Sequence, residues 1–151
     1  MFLPQRPYMV LGSLRSQLLY PNPDNDILES KMRHVLEEVN LAELPERVGG
    51  FDVELDWANV LSLGEQQRLA FARLLLSMPN YVILDEATSA LDLANEKNLY
   101  QQLKAKETTL ISVGHRPSLL QYHEYVLELD GSSNWRLLPM DEYTVNLNAF
   151  S

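Results

Sequence analysis

Two short apolar runs separated by a helical segment constrain the fold of this chain more than any other feature. Residues 81–84 (YVIL) and residues 108–114 (TTLISVG) each read as a strand bounded by turn-forming residues. A helix is predicted between them, from about Leu93 to Lys104. Strand, helix and strand in this order predict two parallel strands in one sheet, joined by a crossover helix. The first run is continuously apolar and predicts a central strand, and we expect the second strand to be buried as well.

Two longer helices are predicted ahead of these strands. The first would cover residues 26–39, with Asp26 as its cap and Glu29 three positions later. The second begins at Ser62, where Ser62 and Glu65 form the capping-box pattern S-x-x-E, and should end at Met78, Pro79 and Asn80. Apolar residues cover most of the circumference of this second helix, so we expect it to be buried.

The end of the chain predicts a short helix and a hairpin. Pro117 is suited to the first position of a helix, and residues 125–130 (YVLELD) and 135–139 (WRLLP) flank a turn. The order of elements therefore predicts an α/β fold, in which a parallel sheet carries an attached helical subdomain and a C-terminal β-hairpin.

Composition excludes several classes of protein. The 151 residues carry a net charge of −9, which argues against nonspecific binding of nucleic acid. Cysteine is absent, which excludes disulfides and thiolate zinc sites. No apolar stretch approaches the ~20 residues that a membrane-spanning helix needs.

Polar residues follow both predicted strands where each one ends. Asp85 and Glu86 come directly after the first strand, and His115 follows the second. Ligands of open parallel sheets lie beyond the carboxyl ends of the strands. Asp85 could hold Mg²⁺ through water, Glu86 could take a proton from an attacking water, and His115 could contact a phosphoryl group. Each residue alone is better explained as a helix cap or an ordinary strand-end histidine.

The segment LSLGEQQR, residues 61–68, combines a helix start with a glycine. Free backbone N–H groups and the helix dipole make such a terminus suitable for an anion. Gly64 would let a phosphate approach the backbone closely. Alone, the pattern is equally that of an ordinary capped helix.

The order of these segments resembles the nucleotide-binding domain of ABC transporters. LSLGEQQRLAFARLLL resembles the signature motif and its helix, YVILDE the Walker B strand, SALD the D-loop and ISVGH the switch-histidine segment. FLPQRPYM at the front resembles the Q-loop. The resemblance covers essentially the whole chain and implies a partial P-loop-NTPase-like sheet. It divides residues 1–151 into a helical subdomain at about 6–78 and a core part at about 79–151.

The resemblance also implies a role for each motif residue in ATP hydrolysis with Mg²⁺. Glu86, His115 and Gln5 would be catalytic, Asp85 and Gln5 would lie at the metal, and Asp92 of the D-loop would signal across a dimer. Four signature residues would contact the nucleotide of a partner domain: Ser62, Gly64, Glu65 and Gln66.

The later motifs resemble one branch of the family in particular. SVGHRPSLLQYHEYVLELDG is similar to the group of peroxisomal fatty-acyl transporters and bacterial peptide or vitamin transporters. The resemblance implies two partners, a second nucleotide-binding domain and a transmembrane domain, and a place at the cytoplasmic face of a membrane. Leu63 stands where most of the family has glycine, but its backbone N–H is retained.

One family motif has no counterpart here. A P-loop, G-x-x-x-x-G-K-[ST], is absent from the 151 residues. We expect the chain to be the C-terminal part of a nucleotide-binding domain; a complete short protein acting in trans is the alternative. Either way, we expect the isolated chain to bind ATP very weakly without turning it over, and to self-associate or be only marginally stable.

Two other functions fit the same motifs. The first is a non-transport ABC ATPase of DNA repair or chromosome maintenance, although no sustained heptad run is present and the net charge is acidic. The second is an inactive module that docks on a complete nucleotide-binding domain. The presence of both Glu86 and His115 argues against this second alternative.

Overall fold

A computed structural model of the chain describes residues 1–143. Its centre is a three-stranded sheet in the order β1 (Phe2–Leu3), β2 (Tyr81–Asp85) and β3 (Thr109–Val113). Both pairs of neighbours are parallel, and Ile83 lies in register with Phe2 on one side and Ile111 on the other. The predicted strands are therefore confirmed as parallel neighbours. Strand β1 was not predicted, because two residues are too few to show a period.

The described residues contain six α-helices. They are α1 (Leu14–Leu19), α2 (Glu29–Glu38), α3 (Leu44–Val48), α4 (Trp57–Val60), α5 (Leu63–Ser77) and α6 (Leu93–Ala105). Helices α1, α2 and α6 pack against α5. Because ten of the fifteen residues of α5 are buried, this helix is the centre of the hydrophobic core, as its apolar circumference predicted.

Helix α5 begins and ends as its sequence predicted. Ser62 is the N-cap, and the reciprocal hydrogen bonds of a capping box with Glu65 are both present. Met78 adopts the left-handed conformation after the last helical turn, with φ of 47°. Pro79 then prevents the helix from continuing.

Helix α2 begins later than predicted. Its N-cap is Leu28, with no side-chain capping bond, so the proposed cap at Asp26 is wrong. The preceding loop explains the difference: Asn25 N–H donates to Asn22 O and Ile27 N–H to Asn25 O, which keeps Asp26 inside a run of turns. These local bonds satisfy the backbone before a helical turn can form there.

The sheet is apolar on both faces but buried on only one within residues 1–143. Val82 and Leu84 of β2 are buried in the core, whereas Tyr81 is 67% exposed and Ile83 40% exposed. Ile111 and Val113 of β3 are also exposed. The prediction that both strands are buried is therefore wrong for most of their side chains, because only Val82 and Leu84 are buried and β3 contains no buried residue. The described helices cover one face, and the alternation of side chains along a strand places every second residue on the other.

The last described elements follow β3. A 3₁₀ helix covers Pro117–Tyr122, as Pro117 predicted, and the hairpin consists of β4 (Tyr125–Leu129) and β5 (Trp135–Pro139). The two hairpin strands are antiparallel, which confirms the predicted hairpin. None of the helices in residues 1–143 is long and apolar enough to cross a membrane. The division into two parts near residue 78 stays a prediction.

Candidate functional site

The carboxyl ends of the three parallel strands bring the predicted strand-end residues to one edge of the sheet. Asp85 is the last residue of β2, and Glu86 follows it. Gln5 comes two residues after the end of β1, and His115 two residues after the end of β3. Strand β1 was not evident from the sequence. Its parallel pairing with β2 places Gln5 at the same edge of the sheet as Asp85.

Glu86 and His115 are in direct contact. Oε1 of Glu86 lies 2.9 Å from Nε2 of His115. The Glu86 side chain is mostly shielded, with 27% exposed, whereas the His115 side chain is 82% exposed. A carboxylate thus points at an accessible imidazole beyond the end of the sheet. This arrangement suits a base that deprotonates a water beside a second polar group.

The backbone of Glu86 adopts a conformation that is rare for a residue with a side chain. Its φ is 52°, in the left-handed region. The N–H of Glu86 donates to Val113 O at 2.8 Å, and its carbonyl accepts from the Ser89 N–H at 3.1 Å. Such conformations cost about 1 to 3 kcal/mol and concentrate at functional positions. The surrounding hydrogen bonds hold the strand-to-loop turn in this shape.

The Asp85 carboxylate is available for a cation. Within residues 1–143 it takes part in no side-chain hydrogen bond and no ion pair. The described residues also hold no cluster of three or more His, Asp or Glu side chains suited to a metal. Mg²⁺ commonly uses one or two carboxylates and completes its shell with water and phosphate oxygens. A single free carboxylate at this edge fits that kind of Mg²⁺ site.

The signature segment uses part of its polar groups to cap α5. Ser62 Oγ accepts from the Glu65 N–H at 3.2 Å, and Glu65 Oε1 accepts from the Ser62 N–H at 3.0 Å. Glu65 also pairs with Arg47. Burial disfavours the Glu65 carboxylate, but the bonds from Ser62 and Arg47 outweigh it and hold the pKa of Glu65 below its usual value. The Glu65 side chain is thus engaged within the chain.

Two backbone N–H groups at the start of α5 stay free for a ligand. Among the described residues, the N–H groups of Leu63 and Gly64 have no hydrogen-bond partner. Gly64 packs closely, since a Cβ added there would lie 3.2 Å from Ala90 O. The Gln66 amide turns inward and donates to Ala58 O and Leu61 O. The polar groups left free at the start of α5 are therefore the backbone N–H groups of Leu63 and Gly64, beside the Ser62 hydroxyl.

Asp92 caps the helix that follows the D-loop segment. Its Oδ1 accepts from the Asn95 N–H at 2.7 Å, which starts α6. Asp92 is therefore the N-cap of α6. The side chain is exposed, and its role across a dimer stays a prediction.

Sequence reasoning missed two residues that join these segments. The Gln67 side chain is fully buried and bonds to Gln5 O and Ser89 Oγ. Arg116, directly after His115, donates to the backbone oxygens of Ser89 and Leu91. The sequence signal for Gln67 was a glutamine within a helix predicted to be buried. No sequence signal indicated Arg116, because its backbone partners Ser89 and Leu91 lie more than 20 residues away along the chain.

Comparison with known proteins gives consistent results. The model of the family described as ABC transporter matches residues 8–89, more than half of the chain. An uncharacterized ABC transporter ATP-binding protein of Synechocystis sp. is 50% identical over 93% of this chain and 21% of its own length. ABC transporter D family member 2, chloroplastic, of Arabidopsis thaliana is 44% identical over 93% of this chain and 24% of its own length. The D-family relatives confirm the predicted branch.

A solved structure supports the fold. A bacterial Atm1-family ABC exporter with ATP bound matches 85% of this chain and 23% of its own, with a TM-score of 0.72 and 28% identity. The chain spans about a fifth to a quarter of the length of these relatives. By its matched residues, its relatives and its fold, the chain belongs to the ABC transporter family.

Proposed function

We propose that the chain forms part of the ATP-hydrolysing site of an ABC transporter. The contact between Glu86 and His115 beyond the parallel strands, beside the free carboxylate of Asp85, carries the proposal. In this proposal the chain docks on a transmembrane domain at the cytoplasmic face of a membrane. A second nucleotide-binding domain completes the site. The family match supports ATP binding and transport.

Glu86 is the proposed base. Its carboxylate takes a proton from a water, and the water oxygen forms a bond to the γ-phosphorus as the bond to the ADP oxygen breaks. His115 is placed to hold the γ-phosphoryl oxygens and to keep the Glu86 side chain in position. Phosphoryl transfer depends on positioning and charge neutralisation more than on covalent chemistry, so two well-placed polar groups suffice here.

Asp85 and Gln5 are the proposed residues for Mg²⁺. The ion, when bound, neutralises charge on the phosphates. The Asp85 carboxylate would hold it through water. Gln5 lies at the same edge of the sheet, with an exposed side chain.

The start of α5 is the proposed contact with the nucleotide of the partner domain. The Leu63 and Gly64 N–H groups and the Ser62 hydroxyl lie at the positive end of a 15-residue helix. The Gln66 and Glu65 side chains turn into the chain, so they would support this contact by shaping the helix start.

The test is ATP hydrolysis by the assembled transporter carrying Glu86→Gln. The amide keeps the size of the side chain but cannot accept the proton, so we expect turnover to fall by at least about 100-fold. Glu124→Gln, an equal change at an exposed glutamate away from the edge, is the matched control. Unchanged turnover in Glu86→Gln would remove Glu86 from the role of base.

The isolated 151-residue chain provides a second arm of this test. Its sequence contains no P-loop to hold the phosphates. We therefore propose that the chain alone binds ATP very weakly and does not hydrolyse it. Stoichiometric, Mg²⁺-dependent ATP binding by the purified chain would contradict this part of the proposal.

A further inference from the structure

The short turn at residues 89–91, just before Asp92, is held by side chains from two different parts of the fold. One is Gln67 of α5, and the other is Arg116, which follows β3. Together these side chains hold backbone or side-chain atoms of all three residues of the turn. We call Gln67 and Arg116 the clamp.

Gln67 holds the turn from the side of the signature helix. Its Oε1 accepts from the Ala90 N–H at 3.0 Å, and its Nε2 donates to Ser89 Oγ at 3.1 Å and to Gln5 O at 2.7 Å. The side chain is 0% exposed. One buried amide therefore joins the Q-loop segment, the signature helix and the D-loop segment.

Arg116 holds the same turn from the side of the switch-histidine segment. Nη1 donates to Leu91 O at 2.8 Å, and Nη2 donates to Ser89 O at 2.9 Å. A planar guanidinium can reach two oxygens at once in a fixed geometry, which a lysine cannot do. Because Arg116 is the neighbour of His115, this contact fixes the backbone that carries the imidazole.

A buried carboxylate holds Arg116 in turn. Glu96 of α6 is 0% exposed and lies 3.2 Å from Nη1 of Arg116. Thr88 donates to Glu96 Oε2 at 2.8 Å, and Ser118 donates to Glu96 Oε1 at 2.6 Å. The buried charge is thus paired and hydrogen-bonded on both oxygens, the condition under which such a pair specifies one arrangement.

The signature helix also packs tightly on the same turn. A Cβ at Gly64 would lie 3.2 Å from Ala90 O and 3.7 Å from the Leu91 side chain. The turn is therefore in contact with the helix start as well as bonded to Gln67. A displacement of the turn would therefore disturb both its packing against Gly64 and its hydrogen bonds to Gln67.

We propose that Gln67 and Arg116 are positioning residues that lock the Q-loop, signature helix, D-loop and switch histidine into one geometry through the turn at residues 89–91. The inference rests on the proposed function for its catalytic consequence. Its structural part, the clamp itself, can be measured without nucleotide.

Substitutions separate the two arms of the clamp. Gln67→Met keeps the length of the side chain but removes all three hydrogen bonds. Gln67→Glu keeps an acceptor for the Ala90 N–H but loses the N–H donor to both Gln5 O and Ser89 Oγ, so it separates the bond to Ala90 from the other two. Arg116→Lys keeps the charge facing Glu96 and loses the paired bonds to the turn.

Gln17→Met is the matched control. Gln17 is also a fully buried glutamine; its amide bonds to Val10 at 3.0 and 2.6 Å and accepts from Arg73 Nη2 at 3.2 Å. It has no hydrogen bond to Gln5 or to residues 89–91. The same substitution there removes a comparable set of bonds and leaves the clamp intact.

The first readout is hydrogen exchange of the Ala90 N–H in the 151-residue chain. In Gln67→Met this group loses its acceptor, so we expect exchange at least about tenfold faster than in the parent. The Met78 N–H, which donates to Leu74 O at the far end of α5, serves as the internal reference. Gln67→Glu and Gln17→Met should keep the Ala90 N–H protected.

The second readout is the kinetics of ATP hydrolysis in the assembled transporter. Misplaced catalytic groups slow the chemical step, so we expect kcat to fall about 10- to 100-fold in Gln67→Met and Arg116→Lys, with KM changed much less. Gln67→Glu should also reduce kcat, because it loses the bonds to Gln5 O and Ser89 Oγ. Gln17→Met should lower the melting temperature and leave kcat near that of the parent.

Two results would overturn the clamp. One is equal Ala90 exchange in Gln67→Met and Gln17→Met, relative to Met78. The other is a loss of kcat in both Gln67→Met and Gln17→Met that is proportional to the decrease in their melting temperatures. Glu86→Gln measured alongside separates this failure from failure of the proposed function: if Glu86→Gln abolishes turnover while the clamp variants match the control, only the clamp is wrong.

Discussion

Glu86, the proposed base, has a strained backbone. Its φ of 52° favours glycine, since any side chain in the left-handed region meets the following carbonyl. The sequence showed that a carboxylate follows the strand, but it gave no sign of this conformation. Strain at a position that also contacts His115 agrees with the role proposed for Glu86.

A pair of substitutions measures that strain. Both Glu86→Ala and Glu86→Gly remove the contact with His115, but only glycine relieves the left-handed backbone. We expect Glu86→Gly to be about 1 kcal/mol more stable than Glu86→Ala in urea unfolding. The usual order, with alanine the more stable, would mean that Glu86 is not held in this conformation in solution.

Tyr100 lies in the core beneath the sheet. It is 1% exposed, stacks on Tyr122 with ring centroids 4.5 Å apart, and shares a 2.8 Å hydrogen bond with Ser112. Burial raises the pKa of Tyr100 to about 12. The folded chain therefore retains the phenol proton to higher pH than the unfolded chain, whose tyrosine titrates near pH ~10.

The sign of the resulting pH dependence follows from this shift. Stability from the neutral phenol is fully present below pH ~10 and is lost as the pH rises towards ~12, by about 2 to 3 kcal/mol. Unfolding free energies at pH 8 to 11.5 should therefore fall less steeply in Tyr100→Phe than in the parent. Parallel slopes would show that Tyr100 titrates normally.

At the scale of single elements, sequence patterns predicted the helix ends that are determined by neighbouring residues. The capping box at Ser62 and the stop at Met78 require only neighbouring residues, and the structure has both. The start of α2 was wrong because competing turn bonds around Asn25 decided it. The one-turn helix α4 was not predicted, since Trp57 anchors it by a bond to Gly12 O, 45 residues away.

The cap of α5 has a measurable contribution. In Ser62→Ala the Glu65 N–H loses its acceptor, so we expect a loss of about 1 kcal/mol in the free energy of unfolding. Ser62→Asn retains a side-chain acceptor and should stay within about 0.5 kcal/mol of the parent. An equal loss in both variants would mean that the cap does not contribute through its hydrogen bond.

For the whole molecule, sequence order predicted the sheet edge but not the contacts across it. Asp85, Glu86 and His115 could be placed at strand ends from the pattern alone. The clamp could not, because Gln67 reaches Gln5 across 62 residues of sequence. Such contacts depend on how the helices pack on the sheet, and the periodicity of apolar residues in the sequence does not indicate this packing.

The exposed face of the sheet has a consequence for the whole chain. Within residues 1–143, Tyr81, Ile83, Ile111 and Val113 leave a contiguous apolar surface in water. Surfaces of this kind promote association. We expect the isolated chain to sediment as oligomers at micromolar concentration, and Ile111→Lys to shift it towards monomer. Gln101→Lys, on the exposed surface of α6, is the control with the same added charge and should leave the distribution unchanged.

If Glu86 deprotonates the water that cleaves ATP, the Glu86→Gln variant should bind ATP without cleaving it. The identity of the nucleotide bound to this variant is therefore the measurement to make. The assembled transporter carrying this substitution is incubated with ATP and Mg²⁺, freed of unbound nucleotide, and its bound nucleotide is identified. We expect uncleaved ATP in the variant, where the parent yields ADP. Bound ADP formed by the variant at the rate of the parent would contradict this role of Glu86.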